Sequence, residues 1–165
     1  MCIENEKTVI LDEKGMDRAI ARISYEIIER NKGAENLCII GVLTRGRYLG
    51  ERIAAKIKDV EKCDVKCGYI DITKDLTSIN FSVEGENVVL VDDVIYTGRS
   101  VRAALDGILK SGRPSSIKLA VLVDRGHREL PIRADFVGKN LPTAKDEIVK
   151  VLLKETDDIN KIVII

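Results

Sequence analysis

Apolar positions recur along this chain with two different periods, and the two periods alternate along the sequence. Apolar residues three or four positions apart predict helices over Met16–Asn31, Arg45–Lys58 and Arg99–Ser111. Short apolar runs between them predict strands over Lys7–Leu11, Leu37–Val42, Val65–Ile72, Asn87–Val91, Ile117–Val123, Ala134–Val137, Val149–Leu153 and Ile162–Ile165. Strands that alternate with helices are typical of a parallel sheet with right-handed crossovers. Ligands of such sheets bind where the carboxyl ends of strands lead into helices, so functional residues are expected there.

The composition narrows the class of protein. A chain of 165 residues with 45% hydrophobic and 33% charged residues has the balance of an ordinary globular protein, and we expect residues 1–165 to form a single domain. No apolar run approaches the roughly 20 residues that span a bilayer, so we expect a cytoplasmic protein without a membrane partner. The 27 basic and 27 acidic residues balance, which argues against a general nucleic-acid coat but permits one local basic face.

The cysteines are Cys2, Cys38, Cys63 and Cys67. Cys63 and Cys67 are four positions apart in a segment that reads as a strand, where such residues lie about 13 Å from each other, too far for a disulfide or a shared ion. No second pair completes a zinc site. We therefore predict reduced thiols.

The most informative polar residues lie in the stretch Val88–Ser100. An apolar strand is predicted to end in Asp92 and Asp93, and a Thr-Gly turn then opens a helix. Adjacent carboxylates point in different directions, which suits a polyhydroxyl ligand with a hydrated cation beside it. A helix start favours anions through its free N–H groups and its dipole. The groups that would bind a phosphate belong to Thr97, Gly98, Arg99 and Ser100. The alternative is that the two acids cap the helix and the turn has no ligand.

A second phosphate-binding segment follows the strand Leu37–Val42. Its residues are Thr44, Arg45, Gly46 and Arg47. A hydroxyl, two guanidinium groups and a glycine that permits close backbone approach suit a pyrophosphate. A solvated turn is the alternative, but the position one strand–loop–helix unit before the acids favours the phosphate.

Several stretches resemble known proteins. Residues 88–100 resemble the thirteen-residue phosphoribosyl pyrophosphate (PRPP) fingerprint of the type I phosphoribosyltransferases. Residues 121–140, with 92–99, 112–114 and 28–33, resemble the bifunctional pyrimidine operon attenuation regulators / uracil phosphoribosyltransferases. The resemblance runs nearly end to end. It implies the type I phosphoribosyltransferase fold, an α/β structure in which a central, mainly parallel sheet is flanked by helices and carries a small hood.

The family resemblance implies two activities. One is the transfer of phosphoribose from PRPP to uracil, which gives UMP and pyrophosphate, with Mg²⁺ as cofactor. The other is binding of the attenuator in pyrimidine operon messenger RNA, in response to UMP or UTP, by a homodimer or a higher homo-oligomer.

The resemblance also implies the site residues. The two acids would hold the ribose hydroxyls and Mg²⁺, Thr97–Ser100 the 5-phosphate, and Thr44–Arg47 the pyrophosphate. Phe136 and Val137 would lie beside the base, with backbone groups that read its edge. The residues expected to take part in catalysis are Asp92, Asp93 and Arg45. Departure of pyrophosphate develops an oxocarbenium-like ribose, so catalysis is expected to stabilise charge rather than to form covalent intermediates.

Tyr96 is predicted to select the base. Purine-specific relatives typically have an acid at this position, and a phenol cannot replace it, which favours a pyrimidine. An exposed loop aromatic with no role in binding is the alternative.

The connection 73–86 departs from the family pattern. It is shorter than the family's mobile loop and lacks the Tyr-Arg-Asp run expected after residues 71–73. A lid excludes water and completes the electrostatic environment of the reaction. We therefore expect nucleotide binding to survive and synthesis to be weakened.

Basic residues in two segments are predicted to bind RNA. They are Arg18, Arg22, Arg30, His127, Arg128, Arg133 and Lys139. Ala21 and Tyr25 replace the Thr and His that are typical of the family's first helix, so some RNA contacts are expected to be lost, although Tyr25 could stack on a base. For any single arginine, a solvated surface charge is the alternative.

Two other functions fit the sequence. One is a plain uracil or other base phosphoribosyltransferase without an RNA role. The other is a nucleotide-sensing protein that uses neither RNA nor PRPP productively, which fits the short connection 73–86 but leaves the basic residues unexplained.

Overall fold

The computed structural model describes residues 8–74 and 79–165. None of the helices in these ranges is long and apolar enough to cross a membrane. In chain order the elements are β1 (Thr8–Leu11), α1 (Glu13–Asn31), β2 (Leu37–Val42), α2 (Arg45–Glu61), β3 (Lys66–Ile70), β4 (Asn87–Ile95), α3 (Arg99–Ser111), β5 (Ser116–Asp124), β6 (Phe136–Asn140), β7 (Val149–Leu152), α4 (Lys154–Asp157) and β8 (Lys161–Ile164).

A five-stranded parallel sheet in the order β3-β2-β4-β5-β6 forms the centre of the fold. The unit β2-α2-β3 extends the sheet in one direction, and β4-α3-β5 extends it in the other. Because such crossovers are right-handed, α2 and α3 lie on opposite faces. The direction changes between β2 and β4, and open α/β sheets bind their ligands at this kind of switch point.

Each face of the central sheet is covered by helices. Ile39 and Val89 pack with α1 and α2 on one face, whereas Ile40 and Leu90 pack with α3 on the other. Neighbouring residues of a strand point to opposite faces. The strands are therefore apolar at successive positions, which explains why they appear in the sequence as unbroken hydrophobic runs.

A second, smaller sheet joins the two ends of the described chain. It is antiparallel, in the order β1-β8-β7. Val151, Leu153 and Ile162 join the core beneath α1 and α2. This small sheet matches the expectation of a small hood added to the central sheet. Strand β1 covers the described part of the strand predicted over Lys7–Leu11 and lies at one edge of the small sheet; Lys7 lies outside the described residues.

The first turn of α2 lies directly against β2 and β4. A Cβ atom on Gly46 would be 2.5 Å from the carbonyl oxygen of Val91 and 3.2 Å from Asp92 Cα. A Cβ atom on Gly41 would be 2.3 Å from the carbonyl oxygen of Gly46. Close packing leaves no space for either side chain, so the two glycines bring the start of α2 next to the end of β4.

Strand β4 is longer than the sequence predicts. The prediction ended it at Val91, but it continues to Ile95. Val94 and Ile95 pack on opposite faces of the sheet, so apolar burial continues after the two acids. Asp92 and Asp93 therefore lie inside the strand, and the prediction that the strand ends before them is wrong.

The structure also differs from the predictions for the bounds of β6 and for the location of Cys63. β6 begins at Phe136 and includes the exposed Lys139, rather than covering Ala134–Val137. It is an edge strand, where exposed polar side chains interrupt the apolar pattern. Cys63 is exposed and precedes β3, so it is not in a strand.

The three cysteines within the described ranges, Cys38, Cys63 and Cys67, are free thiols. Burial raises the pKa of Cys38 to about 12 and that of Cys67 to about 11. Both buried thiols are therefore protonated at neutral pH. Cys2 lies outside the described residues.

Candidate functional site

Asp92 and Asp93, the acid pair, lie near the carboxyl end of β4. Asp92 Oδ1 accepts the N–H of Asp93 at 2.8 Å, and Asp93 Oδ1 accepts the N–H of Val94 at 2.8 Å. Val91 and Val94 pack on the same face of the sheet although they are three positions apart. The β4–β5 register continues unchanged through the acid pair, and the two carboxylates hydrogen-bond to the backbone of the strand that carries them.

The two carboxyl groups differ in environment. Asp92 is 8% exposed, whereas Asp93 is half-buried. Burial raises the pKa of Asp92 well above its usual range, and the charge of Asp93 adds to the increase. Hydroxyl groups or a cation bound beside the pair would offset the cost of charge on Asp92.

The turn after β4 leaves the start of α3 open. Gly98 has φ 95° at the N-cap, a left-handed conformation that favours glycine, and no side chain caps the helix. Thr97 Oγ1 accepts the N–H of Arg99 at 3.3 Å. Ser100 is exposed in the first turn. Free N–H groups and hydroxyls at a helix start form an anion site, so the structure brings the four predicted phosphate-binding residues together beside the acid pair.

The segment between β5 and β6 supports this turn from outside. The carbonyl oxygen of Thr97 accepts the N–H groups of Glu129 at 2.9 Å and Leu130 at 3.2 Å. Arg99 Nε donates to Glu129 at 2.7 Å. The Arg99 side chain therefore pairs with an exposed protein carboxylate in this structure.

Arg128, which is predicted to contact RNA, fixes the same turn. Its guanidinium donates to the carbonyl oxygens of Tyr96 at 2.8 Å and Ile132 at 2.9 Å, and to Asp124 Oδ2 at 2.8 Å. The side chain is 22% exposed. Since its donors are used internally, Arg128 joins the two segments rather than presenting a free charge.

Tyr96 packs between two residues of that segment. The Arg125 guanidinium lies 4.1 Å from the centre of the Tyr96 ring, and the His127 ring meets it edge-on at 6.0 Å. His127 Nε2 is hydrogen-bonded to the carbonyl oxygen of Thr143 at 2.5 Å. Tyr96 is thus not an exposed loop aromatic. His127 is half-buried and contacts Thr143 and Tyr96; its predicted RNA contact stays a prediction.

The segment Thr44–Arg47 is the beginning of α2 rather than a separate loop. Thr44 is exposed, follows a cis peptide bond from Leu43, and makes no capping hydrogen bond through its side chain. Arg45 Nη2 donates to both carboxylate oxygens of Asp157, at 2.9 and 3.2 Å. Gly46 holds this turn beside the acid pair, so the predicted pyrophosphate and ribose sites are neighbours.

Arg47 points away from this arrangement. It pairs with Glu51 at 3.1 Å and lies over the Tyr69 ring at 4.4 Å. It borders a cleft of about 450 Å³ at the β3 edge. In this structure the two arginines have different partners, Asp157 for Arg45 and Glu51 for Arg47. A joint contact of both with pyrophosphate stays a prediction.

Phe136 and Val137 differ in their access to a ligand. Phe136 is 2% exposed, packs in the core with α1 and lies under Arg30, 5.5 Å from the guanidinium. Its side chain has no free surface for a base, so the predicted contact of Phe136 with the base is left to its backbone. Val137 pairs with Val121, which pairs with Asp92, so Val137 and Asp92 lie at the same position along their strands. This position is compatible with the prediction that Val137 lies near the base.

The remaining basic residues divide between α1, β6 and the segment after β5. Arg22 Nη1 donates to the carbonyl oxygen of Val137 at 3.1 Å and to Glu26 at 3.2 Å, and Nη2 donates to Gly138 at 2.5 Å. Arg22 therefore connects α1 to β6. The predicted RNA contacts whose residues are exposed are Arg18, Arg22, Arg30, Arg133 and Lys139.

The connection 73–86 is attached to the core over its second half. Residues 75–78 of this predicted lid lie outside the described residues. Val83 is fully buried, and Ile79 and Phe81 pack on the α3 side of the sheet. Glu84 accepts the N–H of Arg113 at 2.8 Å. Residues 79–86 are thus part of the body of the fold, which shortens the segment that could cover the site.

Asp157 and Arg125 were not predicted as residues near the site. Asp157 lies 112 positions from Arg45, its partner, and nothing in the sequence indicates that contact. Arg125 stands in the Arg-Gly-His-Arg segment, which pointed to RNA rather than to Tyr96.

The fold and the arrangement of the site define a phosphoribosyltransferase. The family model described as "Phosphoribosyl transferase domain" matches residues 7–156. A hypoxanthine phosphoribosyltransferase from Trypanosoma cruzi, solved with the product IMP, has a TM-score of 0.81 over 100% of this chain and 93% of that chain at 23% identity. A Leishmania tarentolae HGPRT-ase solved with GMP also has a TM-score of 0.81, over 97% and 96% of the two chains at 21% identity. These structures share the fold.

More similar sequences identify the group within this class. "Bifunctional protein PyrR" of Deinococcus radiodurans is 58% identical over 165 residues, covering 92% of this chain and 90% of that protein. The protein of the same name from Clostridioides difficile is 56% identical, covering 92% and 94%. The chain belongs to the bifunctional PyrR family.

A further relative shows that this chain is shorter within the aligned region. Bifunctional protein PyrR of Listeria monocytogenes serotype 4a is 51% identical over 177 residues, an alignment that includes 97% of this chain and 97% of that protein. Because the alignment is longer than the 165 residues of this chain, the relative has residues there that this chain lacks.

Proposed function

We propose that this protein controls transcription attenuation of a pyrimidine operon by binding its messenger RNA in response to uridine nucleotides. The same nucleotide site transfers phosphoribose from PRPP to uracil. One observation carries the proposal: the acid pair, the open start of α3 and the first turn of α2 meet at the β2–β4 switch point. PRPP requires three such neighbouring sites, for its ribose hydroxyls, its 5-phosphate and its pyrophosphate.

Each part of the site has one role in this proposal. The N–H groups of Gly98 and Ser100, with the hydroxyls of Thr97 and Ser100, bind the 5-phosphate. The acid pair accepts hydrogen bonds from the ribose hydroxyls. Arg45 donates to the pyrophosphate. Tyr96, a phenol where purine-specific relatives have an acid, favours a pyrimidine. The backbone of Val137 contacts the edge of the base.

The acid pair fits Mg²⁺ as a cofactor. Magnesium in enzymes is held by one or two carboxylates together with oxygen atoms of the substrate phosphates and with water, and Asp92 and Asp93 offer that donor set. When bound with PRPP, Mg²⁺ neutralises part of the charge on the pyrophosphate.

The reaction is a displacement at the anomeric carbon. The bond between C1′ and the pyrophosphate oxygen breaks, and its electron pair leaves with pyrophosphate. N1 of uracil bonds to C1′, and the proton of N1 passes to pyrophosphate or to water. Positive charge develops on the ribose in such reactions. The chain contributes by positioning the phosphate and the diol and by donating hydrogen bonds from Arg45 to the leaving group.

The short connection 73–86 is proposed to lower turnover more than binding. The groups that bind UMP lie on β4, α3 and β6, whereas exclusion of water depends on a lid. Anchoring of residues 79–86 in the body of the fold supports a reduced lid. Efficient UMP synthesis from uracil and PRPP at saturating Mg²⁺ would contradict this part of the proposal.

We propose that exposed basic residues contact the RNA. We define the basic face as Arg18, Arg22, Arg30 and Lys139. Arg133, which is also exposed, is proposed as a further contact. Arginine and lysine side chains bind RNA phosphates and stack on unpaired bases. We also propose that the protein is a homodimer or a higher homo-oligomer and that it acts in the cytoplasm, where messenger RNA is made.

Calorimetry with UMP and uridine tests the nucleotide site. We expect UMP to bind and the double variant Thr97→Ala/Ser100→Ala to lose roughly tenfold to a hundredfold in UMP affinity, because hydrogen bonds to a charged group are lost. Uridine lacks the phosphate, so its affinity should be unchanged by the double variant. Asp93→Asn should weaken both ligands. Equal losses for UMP and uridine in the double variant would contradict the assignment.

Gel shifts with the attenuator RNA, with and without UMP, separate the alternatives. A regulator binds the RNA with an affinity that changes with UMP. A plain phosphoribosyltransferase turns over uracil and PRPP but binds the attenuator no better than an unrelated RNA. A nucleotide sensor binds UMP and does neither.

A further inference from the structure

The small sheet contributes a carboxylate to the predicted pyrophosphate site. Asp157, the last residue of α4, lies between β7 and β8, and both of its oxygens accept from Arg45 Nη2, at 2.9 and 3.2 Å. Gly46, the next residue after Arg45, is packed against the backbone of Asp92. An ion pair from the small sheet thus reaches the turn of α2 that borders the acid pair.

Asp157 is held firmly enough to orient its partner. Its side chain is 8% exposed. Besides Arg45, Asp157 Oδ2 accepts the N–H of Leu153 at 3.0 Å and the hydroxyl of Thr156 at 2.6 Å. A carboxylate with donors on several sides has one preferred position, so the guanidinium that it binds is also restricted to one orientation.

The guanidinium of Arg45 keeps donors for a ligand. Asp157 uses Nη2, whereas Arg45 Nε is buried and has no hydrogen-bond partner among the described residues. The Arg45 side chain as a whole is 36% exposed, so guanidinium donors other than Nε are open to a ligand. An arginine carries five N–H donors, so it can bind Asp157 and a phosphate oxygen at the same time.

We propose that Asp157 is a positioning residue for pyrophosphate: it fixes Arg45 so that the free donors of the guanidinium face the leaving group of PRPP. The inference rests on the proposed function, and it extends the nucleotide site to the small sheet. Without the carboxylate, Arg45 would sample several rotamers, and ordering it on binding would cost affinity for pyrophosphate and PRPP. The affinity for UMP, which lacks a pyrophosphate, would not change.

A neighbouring ion pair provides a matched control. Arg52 lies two turns after Arg45 on α2 and pairs with Glu155 of α4 at 2.6 Å. This pair also joins α2 to the small sheet, but it does not involve the first turn of α2. A loss caused only by weaker attachment of α4 should therefore follow from Glu155→Gln as well as from Asp157→Asn.

The test is calorimetry of pyrophosphate, PRPP and UMP, each with Mg²⁺, on the full-length protein. Asp157→Asn should weaken pyrophosphate and PRPP about tenfold and leave UMP unchanged. Glu155→Gln should change none of the three. In an Arg45→Gln background, Asp157→Asn should add no further loss, because it acts through Arg45.

Four results would overturn the proposal. They are an unchanged or tighter affinity of Asp157→Asn for pyrophosphate, an equal loss in Glu155→Gln, an additive loss in the Arg45→Gln background, and a loss of UMP affinity equal to that of pyrophosphate. Failure of the unmodified protein to bind UMP would instead contradict the proposed function itself.

Discussion

The glycine at position 46, which has no side chain, allows α2 to come close to the acid pair. A Cβ atom there would be 2.5 Å from the carbonyl oxygen of Val91, and that oxygen belongs to the central strand of the sheet. Backbone atoms in a parallel sheet cannot move independently, because each takes part in the hydrogen bonds between strands. Relief of such a contact would therefore displace the start of α2, where Arg45 lies.

Gly46→Ala should lower the free energy of unfolding by about 1–3 kcal/mol, as overpacking does. It should also weaken pyrophosphate binding, since the turn that carries Arg45 is pushed away. Chemical denaturation and calorimetry measure the two effects.

Gly50→Ala is the control, because Gly50 lies one turn later on the same helix. A Cβ atom there would be 3.3 Å from Ile39 Cγ2, a side-chain atom that can adjust. The gain in helix propensity is the same for both variants, so Gly50→Ala should change stability by less than about 1 kcal/mol. Equal stability of the two variants would contradict the packing argument.

At the scale of elements, a basic residue of α1 connects that helix to the edge strand β6. Arg22 donates to the backbone carbonyls of Val137 and Gly138, whereas Arg18, one turn earlier, is exposed and has no hydrogen bond with the described residues. Arg22 therefore combines a structural contact with an exposed charge, whereas Arg18 contributes only an exposed charge.

Arg18→Gln should weaken attenuator binding with little effect on stability, within about 0.5 kcal/mol. Arg22→Gln should weaken it too, and it should also speed hydrogen exchange of the β6 amides, because an edge strand loses its connection to α1. Each variant should reduce the slope of log affinity against log salt by about 1 if its charge contacts a phosphate.

Unchanged attenuator affinity in Arg18→Gln would remove α1 from the RNA contact surface. Unchanged exchange in Arg22→Gln would show that the bonds to β6 do not hold that strand.

The elements whose apolar pattern coincides with their buried residues could be predicted from the sequence. The bounds of β2 and α3 coincide with the predictions Leu37–Val42 and Arg99–Ser111, because an apolar run or helical period stops where burial stops. The end of β4 could not be predicted in this way. Two acids interrupt the apolar run, although the strand continues to Ile95.

The site could be predicted where its residues are contiguous, and not where they meet across the fold. The acid pair and the Thr97–Gly98 turn follow one another along the chain, so a motif reveals them. The partners of Arg128 and Arg45 are in other elements. A basic residue in a polar segment looks the same in sequence whether it binds RNA or, as Arg128 does, the carbonyl oxygens of Tyr96 and Ile132.

At the scale of the whole molecule, the small sheet is joined to the central unit by apolar contacts and by a polar network. The network connects Glu13 to Lys154, Arg52 to Glu155 and Arg45 to Asp157. Hydrogen bonds from Lys154 lower the pKa of Glu13, and those from Arg52 lower the pKa of Glu155. Burial acts to raise the pKa of Asp157, but bonds from Thr156, the Leu153 amide and Arg45 outweigh it, and the pKa is lowered.

The signs of these shifts predict that acid loosens the small sheet. A carboxylate whose pKa is lowered on folding stabilises the folded state above its ordinary pKa, and this contribution is lost as pH falls through the lowered value. Below about pH 4, we expect the amides of β1, β7 and β8 to lose protection from hydrogen exchange before those of β2, β4 and β5.

In the double variant Asp157→Asn/Glu155→Gln, the amides of β1, β7 and β8 should already be less protected than those of β2, β4 and β5 at neutral pH. Their protection should change less than in the unmodified protein as the pH falls. Simultaneous loss of protection in both sheets of the unmodified protein would mean that the carboxylates do not control the attachment.

The most direct test of the account is a crystal structure of the protein with UMP. We expect the phosphate to accept hydrogen bonds from the backbone N–H groups at the start of α3 and the ribose hydroxyls to face Asp92 and Asp93. A nucleotide bound at any other place, with the start of α3 free of phosphate, would contradict the nucleotide site and the regulation that depends on it.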